Sequence, residues 1–316
     1  LERLAKYDRN IVLHTNKLNG ARSRASLLPV TWKYFQYLSL LFVEMYLDGY
    51  FSDPTGLRDS VNVAVEEINL GLPTTEKISK LDMADDPRNQ LNKLALWNAT
   101  GSGKTLLMHV NLAQYQQYIR RAAGVSEPNK ILLLTPNDGL SIQHLSEFQT
   151  SGVAAELFDK NRASLFSAEV EILDIHKLTK GEPGPETVSV ESLEGNNLVL
   201  VDEGHRGASG GDDGLWFSMR TDLCRGGFSF EYSATFGQAV AGDTSLTDQY
   251  SKSVIFDYSY KYFYGDGFGK DYAILNLDGT FDETLRNRYL IGGLLVFFEQ
   301  LKLHHEKGSQ YVPFQI

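Results

Sequence analysis

The chain has 316 residues, 42% of them hydrophobic, and a formal net charge of −10. Its single cysteine, Cys224, excludes a disulfide framework and a cysteine-built zinc site, and points to a reducing, cytoplasmic setting. No apolar run reaches the roughly 18 residues that a membrane span needs; the longest, LSLLFVEMYL and GLLVFFEQL, contain Glu44 and Glu299, so no membrane partner is expected.

The opening LERLAKYDRN is neither a Met start nor a signal peptide, and a preceding portion is expected. Residues 1–33 carry seven Lys or Arg against two Asp or Glu, a net +5 on a body of −15. They read as a basic N-terminal arm able to track a phosphate backbone, or equally as a solvated surface segment. Residues 51–90 are polar and turn-rich around a short helical core, an insertion ahead of the first sheet strand. Strands follow at LALW (94–97), ILLLT (131–135), VEILDI (170–175), LVLVD (198–202) and FSFEYSAT (228–235). Between them LLMHVNLAQYQQYIRRA, HLSEFQ and LWFSMRTDL have helical spacing, and the alternation predicts an α/β fold with a mainly parallel sheet. The glycines of GASGGDDG (207–214) suggest a mobile loop. Phe256, Tyr258, Tyr260 and Tyr262 alternate, which predicts a strand with one aromatic face, used for packing rather than for stacking bases. ETLRNRYLIGGLLVFFEQLKLHHE reads as a long helix.

Two motifs carry chemistry. In LWNATGSGKTLLMH an apolar strand runs into Thr100, Gly101, Ser102 and Gly103, whose small residues let backbone N–H groups curl around a phosphate. Lys104 is placed to reach β and γ oxygens, and the Thr105 hydroxyl to ligate Mg²⁺. Asn98 stands where the usual pattern has its first glycine, but the strand–loop–helix context is intact. In LVLVDEGH, four apolar residues bury a strand that ends on Asp202, suited to hold Mg²⁺ through water. Glu203 beside it is suited to polarise a water attacking a γ-phosphate. A small-molecule kinase needs no such water. Asp174 and His176 in VEILDIHKL have no companion ligands for a metal.

TGSGKT, LLLTPNDGLSIQH, VDEGHRG and FEYSATFG, in this order and spacing, resemble motifs I, Ia, II and III of superfamily 2 helicases and translocases of the DExH type. The wording is closest to the Res (helicase/ATPase) subunits of type III restriction enzymes and related defence ATPases, over roughly residues 34–300. The resemblance implies a RecA-like P-loop lobe over 34–281, with an N-terminal helical extension and a linking helix over 282–316. It implies ATP and Mg²⁺ as cofactors, DNA as partner and a DNA-modification subunit beside it. Gly101, Gly103, Lys104 and Thr105 would bind ATP, Thr105 and Asp202 Mg²⁺, and Glu203 would be the general base. His205 would link the nucleotide site to Ser233 and Thr235, whose hydroxyls couple nucleotide state to strand movement. Thr135, Pro136 and Asn137 would face the nucleic-acid backbone; for Asn137 a helix N-cap is an equal reading. Gln36 is the candidate adenine reader, or else a solvent-facing helix glutamine.

Nothing resembles the later motifs of a second motor lobe. Arg286 and Arg288 match no motif, and no PD-(D/E)xK nuclease pattern occurs. The chain is therefore expected to be a fragment, near-inactive by itself. The competing readings are a nucleotide-gated binding module without turnover, against which the intact Glu203 and Ser-Ala-Thr argue, and an unrelated P-loop ATPase.

Overall fold

Each of the five apolar runs becomes a strand of one sheet in the computed structural model, which describes residues 1–159, 168–204, 212–237, 244–269 and 283–307. The strands are β1 (Lys93–Asn98), β2 (Ile131–Thr135), β3 (Ala155–Leu157), β4 (Val170–Asp174), β5 (Leu178–Thr179), β6 (Val188–Ser189), β7 (Leu198–Asp202), β8 (Phe228–Ser233) and β9 (Val254–Tyr258). Seven pair in the order β3-β4-β2-β7-β8-β1-β9, while β5 and β6 form a separate pair. Every pairing is parallel. The strand leading to the glycine loop and the strand ending on Asp202 are thus separated only by β8, the arrangement of a RecA-like lobe. Register aligns Trp97 with Ser233 and Asp202 with Tyr232, so all the motif residues emerge at one carboxyl edge, where open α/β sheets bind ligands.

Both faces of the sheet are covered, which is why its strands read as unbroken apolar runs. On β7, Leu198 and Leu200 join the core of one face, and Val199 and Val201 that of the other. The first face packs under α2 (Tyr34–Ser52) and α5 (Lys104–Ile119), where Met108, Leu112 and Tyr115 meet Leu96, Phe228 and Phe230. The second packs under α7 (Asp212–Leu223), through Met219 and Leu223.

Two expectations change. The segment expected as a basic arm is largely a docked helix, α1 (Glu2–Arg24), that buries Tyr7, Asn10, Ile11, His14, Leu18 and Ala21. Their three- and four-residue spacing makes one inward stripe, and Arg3 and Lys6 pair with Asp48 of α2 at 3.1 and 2.8 Å. The aromatic alternation, in turn, does not continue as a strand. β9 stops at Tyr258, and Tyr260 and Tyr262 lie on a short helix, so only Phe256 and Tyr258 share a strand face. Tyr258 stacks on Phe35 of α2, centroids 4.0 Å apart.

In the expected insertion, α3 (Pro54–Asn69) is capped by Asp53, which accepts from Gly56 N, and it is followed by α4 (Pro87–Gln90). Arg58 donates to the carbonyls of Met83 and Asp85, each at 3.3 Å, and draws the loop back onto the helix. The unit Leu1–Asp266 also contains α6 (Asp138–Ser151), α8 (Thr244–Ser251) and α9 (Tyr260–Gly265). The unit Gly267–Ile316 contains α10 (Glu283–Lys307), the predicted long helix, which carries Arg286 and Arg288. No helix among the described residues is long and apolar enough to cross a membrane.

Candidate nucleotide site

The glycine loop leaves β1 at Asn98 and enters α5 at Lys104. Gly101 and Gly103 sit at φ +82° and +90°, left-handed values that glycine adopts without the strain of a side chain. A Cβ on Gly103 would lie 2.6 Å from the Gln36 amide nitrogen. Gly103 caps α5 without any side-chain hydrogen bond, so the first amides of the helix are open to an anion, as the helix dipole favours. Asn98 and Ser102 are fully buried, yet the Asn98 amide and the Ser102 hydroxyl have no hydrogen-bond partner among the described residues.

The loop is held from two sides. Ala99 N–H donates to the Tyr258 carbonyl at 2.9 Å, and the Gln36 Nε2 donates to the Ser102 carbonyl at 2.8 Å. Gln36 Oε1 accepts from Lys33 N at 2.9 Å, and the residue is buried. The solvent-facing alternative for Gln36 therefore falls.

Across β8, Lys104 Nζ stands 3.9 Å from Glu203 Oε1, with the two side chains 12% and 26% exposed. Glu203 is one of two non-glycine residues at positive φ among those described, at +55°, a conformation that costs a bulky residue on the order of 1–3 kcal/mol and clusters at active sites. Asp202 accepts from Glu203 N at 3.1 Å and from His144 Nε2 at 3.0 Å. Burial by itself would raise the Asp202 carboxyl, but the bond and charge of His144, the nearby Lys104 and the Glu203 amide together hold it below the usual carboxylate range. An ionised carboxylate beside a lysine and an open helix N-terminus fits a phosphate-bound divalent cation. Among the described residues no cluster of three His, Cys, Asp or Glu could hold a metal alone, so such an ion would draw most of its ligands from phosphate and water.

A family model for the Res subunit of type III restriction enzymes matches residues 58–237, from within α3 to just past the Ser-Ala-Thr turn. The chain belongs to that family. This Res-family chain is the ATP-binding first motor lobe of a helicase-superfamily protein. Among solved structures it is similar to S. cerevisiae dbp5 bound to nup159, gle1, ip6 and adp, at 14% identity and a TM-score of 0.34. The match covers 62% of this chain and 51% of that one, so the chain spans about half the length of its structural relative. No curated protein matches it.

The Res-family motifs differ in how their side chains are disposed. Thr100 and Gly101 are exposed on the loop, and Thr105 is half-buried at the start of α5. Ser233 is fully buried, and its hydroxyl accepts from Thr235 N at 3.0 Å. His205 lies outside the described residues. Thr135 and Pro136 do not face outward. Both are buried, and the Thr135 hydroxyl bonds that of Ser141 at 2.6 Å. The chain closes a polar contact there between the end of β2 and α6, leaving Asn137 as the exposed member of the three. Asn137 also caps α6, accepting from Leu140 N at 3.0 Å.

Five residues that shape the site are absent from the sequence expectations. His144 of α6 holds Asp202. Arg220 of α7, Glu231 of β8 and Tyr250 of α8 surround Gly204: Arg220 donates to its carbonyl at 2.8 Å, and Tyr250 donates to Glu231 at 2.6 Å. Gly204 N–H donates to the Tyr232 carbonyl at 2.8 Å. The residue after Glu203 is thereby fixed at both of its backbone polar groups, and the left-handed turn is over-determined. Glu231, a lone carboxylate in the apolar FSFEYS run, was the one signal of this network in the sequence. Trp97 completes the set, reaching from β1 to the Ser-Ala-Thr turn.

Proposed function

We propose that this chain binds ATP·Mg²⁺ as the first motor lobe of a DNA-acting helicase or translocase in a restriction or phage-defence system, alongside a DNA-modification subunit in the cytoplasm. The observation that carries the reading is the approach of Lys104 to Glu203 across the β8 strand, 3.9 Å between charged atoms, with Asp202 beside them. Lys104 would bind the β and γ phosphate oxygens, and Thr105 and Asp202 would hold Mg²⁺. When bound, Mg²⁺ would supply positive charge against the phosphate oxygens. Glu203 orients a water toward the γ-phosphate and accepts its proton. The strained turn aims that carboxylate, while Arg220 and Tyr232 keep the turn from relaxing. The cation that meets charge developing on the γ-phosphate would come from outside these motifs. Such arginine fingers are worth on the order of 10³–10⁵ in rate, so this chain alone would bind nucleotide and turn it over slowly.

The test is phosphate release by the complete protein, with and without duplex DNA, single-stranded DNA and RNA. Glu203→Gln should retain nucleotide and lose turnover, because the amide matches the carboxylate in shape and cannot take the proton. Near wild-type turnover by that variant removes Glu203 from the base role, and stimulation by RNA in preference to DNA removes DNA as the substrate.

A further inference from the structure

The inner face of α6 is unlike those of its neighbours. Its buried residues are Ser141, His144, Phe148 and Ser151, three polar groups out of four, where helices of a packed core ordinarily present an apolar stripe. Each polar group has a partner. Ser141 bonds Thr135 at the end of β2, Ser151 bonds His109 of α5 at 2.8 Å, and His144 bonds Asp202 at the end of β7. His144 is 3% exposed. A carboxylate has no hydrogen to offer, so the proton of this contact sits on Nε2; Nδ1 is buried with no hydrogen-bond partner among the described residues. An imidazole with one unused nitrogen is poorly explained as packing, since an apolar side chain would fill the space with no polar atom to bury. It is well explained as a support, because a carboxylate that holds a metal must itself be held in orientation.

We propose that His144 is a positioning residue for Asp202, fixing through Nε2–H the rotamer in which that carboxylate receives the divalent ion of the nucleotide complex. The Glu203 amide holds Oδ1 and His144 holds Oδ2, so the plane of the carboxylate is set by two donors from different elements. This inference rests on the nucleotide-site reading above.

The test uses the 316-residue chain with ADP and Mn²⁺ as probes. Bound Mn²⁺ is read from the loss of the free-ion electron paramagnetic resonance signal, and ADP affinity in EDTA is measured in parallel. His144→Leu should weaken Mn²⁺ binding about 10- to 100-fold, the usual effect of losing a group that orients a ligand, while metal-free ADP affinity stays within about twofold. His144→Gln, whose amide nitrogen can stand in for Nε2, should recover Mn²⁺ affinity to within about threefold. Unchanged Mn²⁺ affinity in the leucine variant overturns the proposal. So does an equal loss of ADP in EDTA, or a failure of glutamine to rescue. Should the leucine variant not fold, His144→Asn, too short to reach, replaces it, and equal Mn²⁺ affinity for Asn and Gln variants overturns the proposal. Failure of the nucleotide-site reading looks different: the unsubstituted chain would then take up no Mn²⁺ with ADP.

Discussion

The indole N–H of Trp97 donates to the carbonyl of Ala234 at 3.0 Å, joining the strand that enters the phosphate loop to the middle residue of the Ser-Ala-Thr turn. The ring also closes on Gly237, where a Cβ would lie 2.4 Å from Trp97 Cη2. Trp97→Phe removes the donor and strands a part-buried carbonyl, so it should destabilise by about 1–2 kcal/mol. Gly237→Ala should cost about 1–3 kcal/mol by overpacking. In the Trp97→Phe background that second cost should shrink, because the smaller ring makes room. Urea unfolding of the four proteins of this cycle measures the coupling, and strict additivity would separate the two contacts.

Lys104→Ala should lower ATP affinity by one to two orders of magnitude, through loss of charge-assisted contacts of roughly 1.5–3 kcal/mol. Titration calorimetry on both forms reads it directly. Equal affinities would mean that the ammonium, although 3.9 Å from Glu203, does not meet phosphate.

Arg220 and Glu231 form a buried pair 3.6 Å apart, with side chains 5% and 2% exposed. Glu231 also meets Lys93 at 3.3 Å, so Arg220→Met leaves the buried carboxylate with one of its two cations and takes a donor from the Gly204 carbonyl, at a cost of about 1–3 kcal/mol. Adding Glu231→Gln to that variant should cost less than Glu231→Gln costs in the unsubstituted protein, since one of the carboxylate's two cations is already gone. Guanidinium unfolding of single and double variants decides; a double variant weaker by the sum of two single losses would contradict the pairing.

His14 should make the protein sensitive to mild acid. Burial, with smaller contributions from Lys17 and Arg121, lowers its pKa from 6.5 to about 4, against an opposing influence of the Gln117 side chain. Between those two values the unfolded chain binds a proton that the native imidazole refuses, so stability falls as pH falls through that window and levels off below about 4. His14→Gln should flatten the dependence by about 1 kcal/mol per pH unit, visible in unfolding free energies measured from pH 5 to 6. His109, lowered to about 3 by burial first of all, contributes in the same sense and keeps a residual slope in the variant.

The sheet was legible because its strands are buried on both faces. Runs such as LVLVD and ILLLT announce themselves by composition, and the observed bounds of β2 and β7 coincide with them. TGSGKT and Asp202-Glu203 were legible because phosphate chemistry demands particular residues at short spacing. What stayed hidden depends on contacts between distant residues. His144 meets Asp202 across 58 positions of sequence, and Gln36 meets Ser102 across 66; no local pattern encodes either. The aromatic alternation misled because Ser259 caps a new helix in the middle of it. Along α1 the charges drew attention from the apolar stripe beneath them.

Both braces of the phosphate loop, Gln36 on α2 and the Tyr258 carbonyl on β9, lie outside the 58–237 span by which the family is recognised. The smallest piece able to keep a shaped loop is consequently larger than the piece that carries the motifs. A chain trimmed to 58–237 would retain Lys104, Asp202 and Glu203, yet β1 would become a sheet edge, with the Ala95 and Ala99 amides stripped of their acceptors Ser253 and Tyr258. Heredity of sequence and mechanical self-sufficiency have different borders here, and the second runs from the aromatic pair Phe35 and Tyr258 outward.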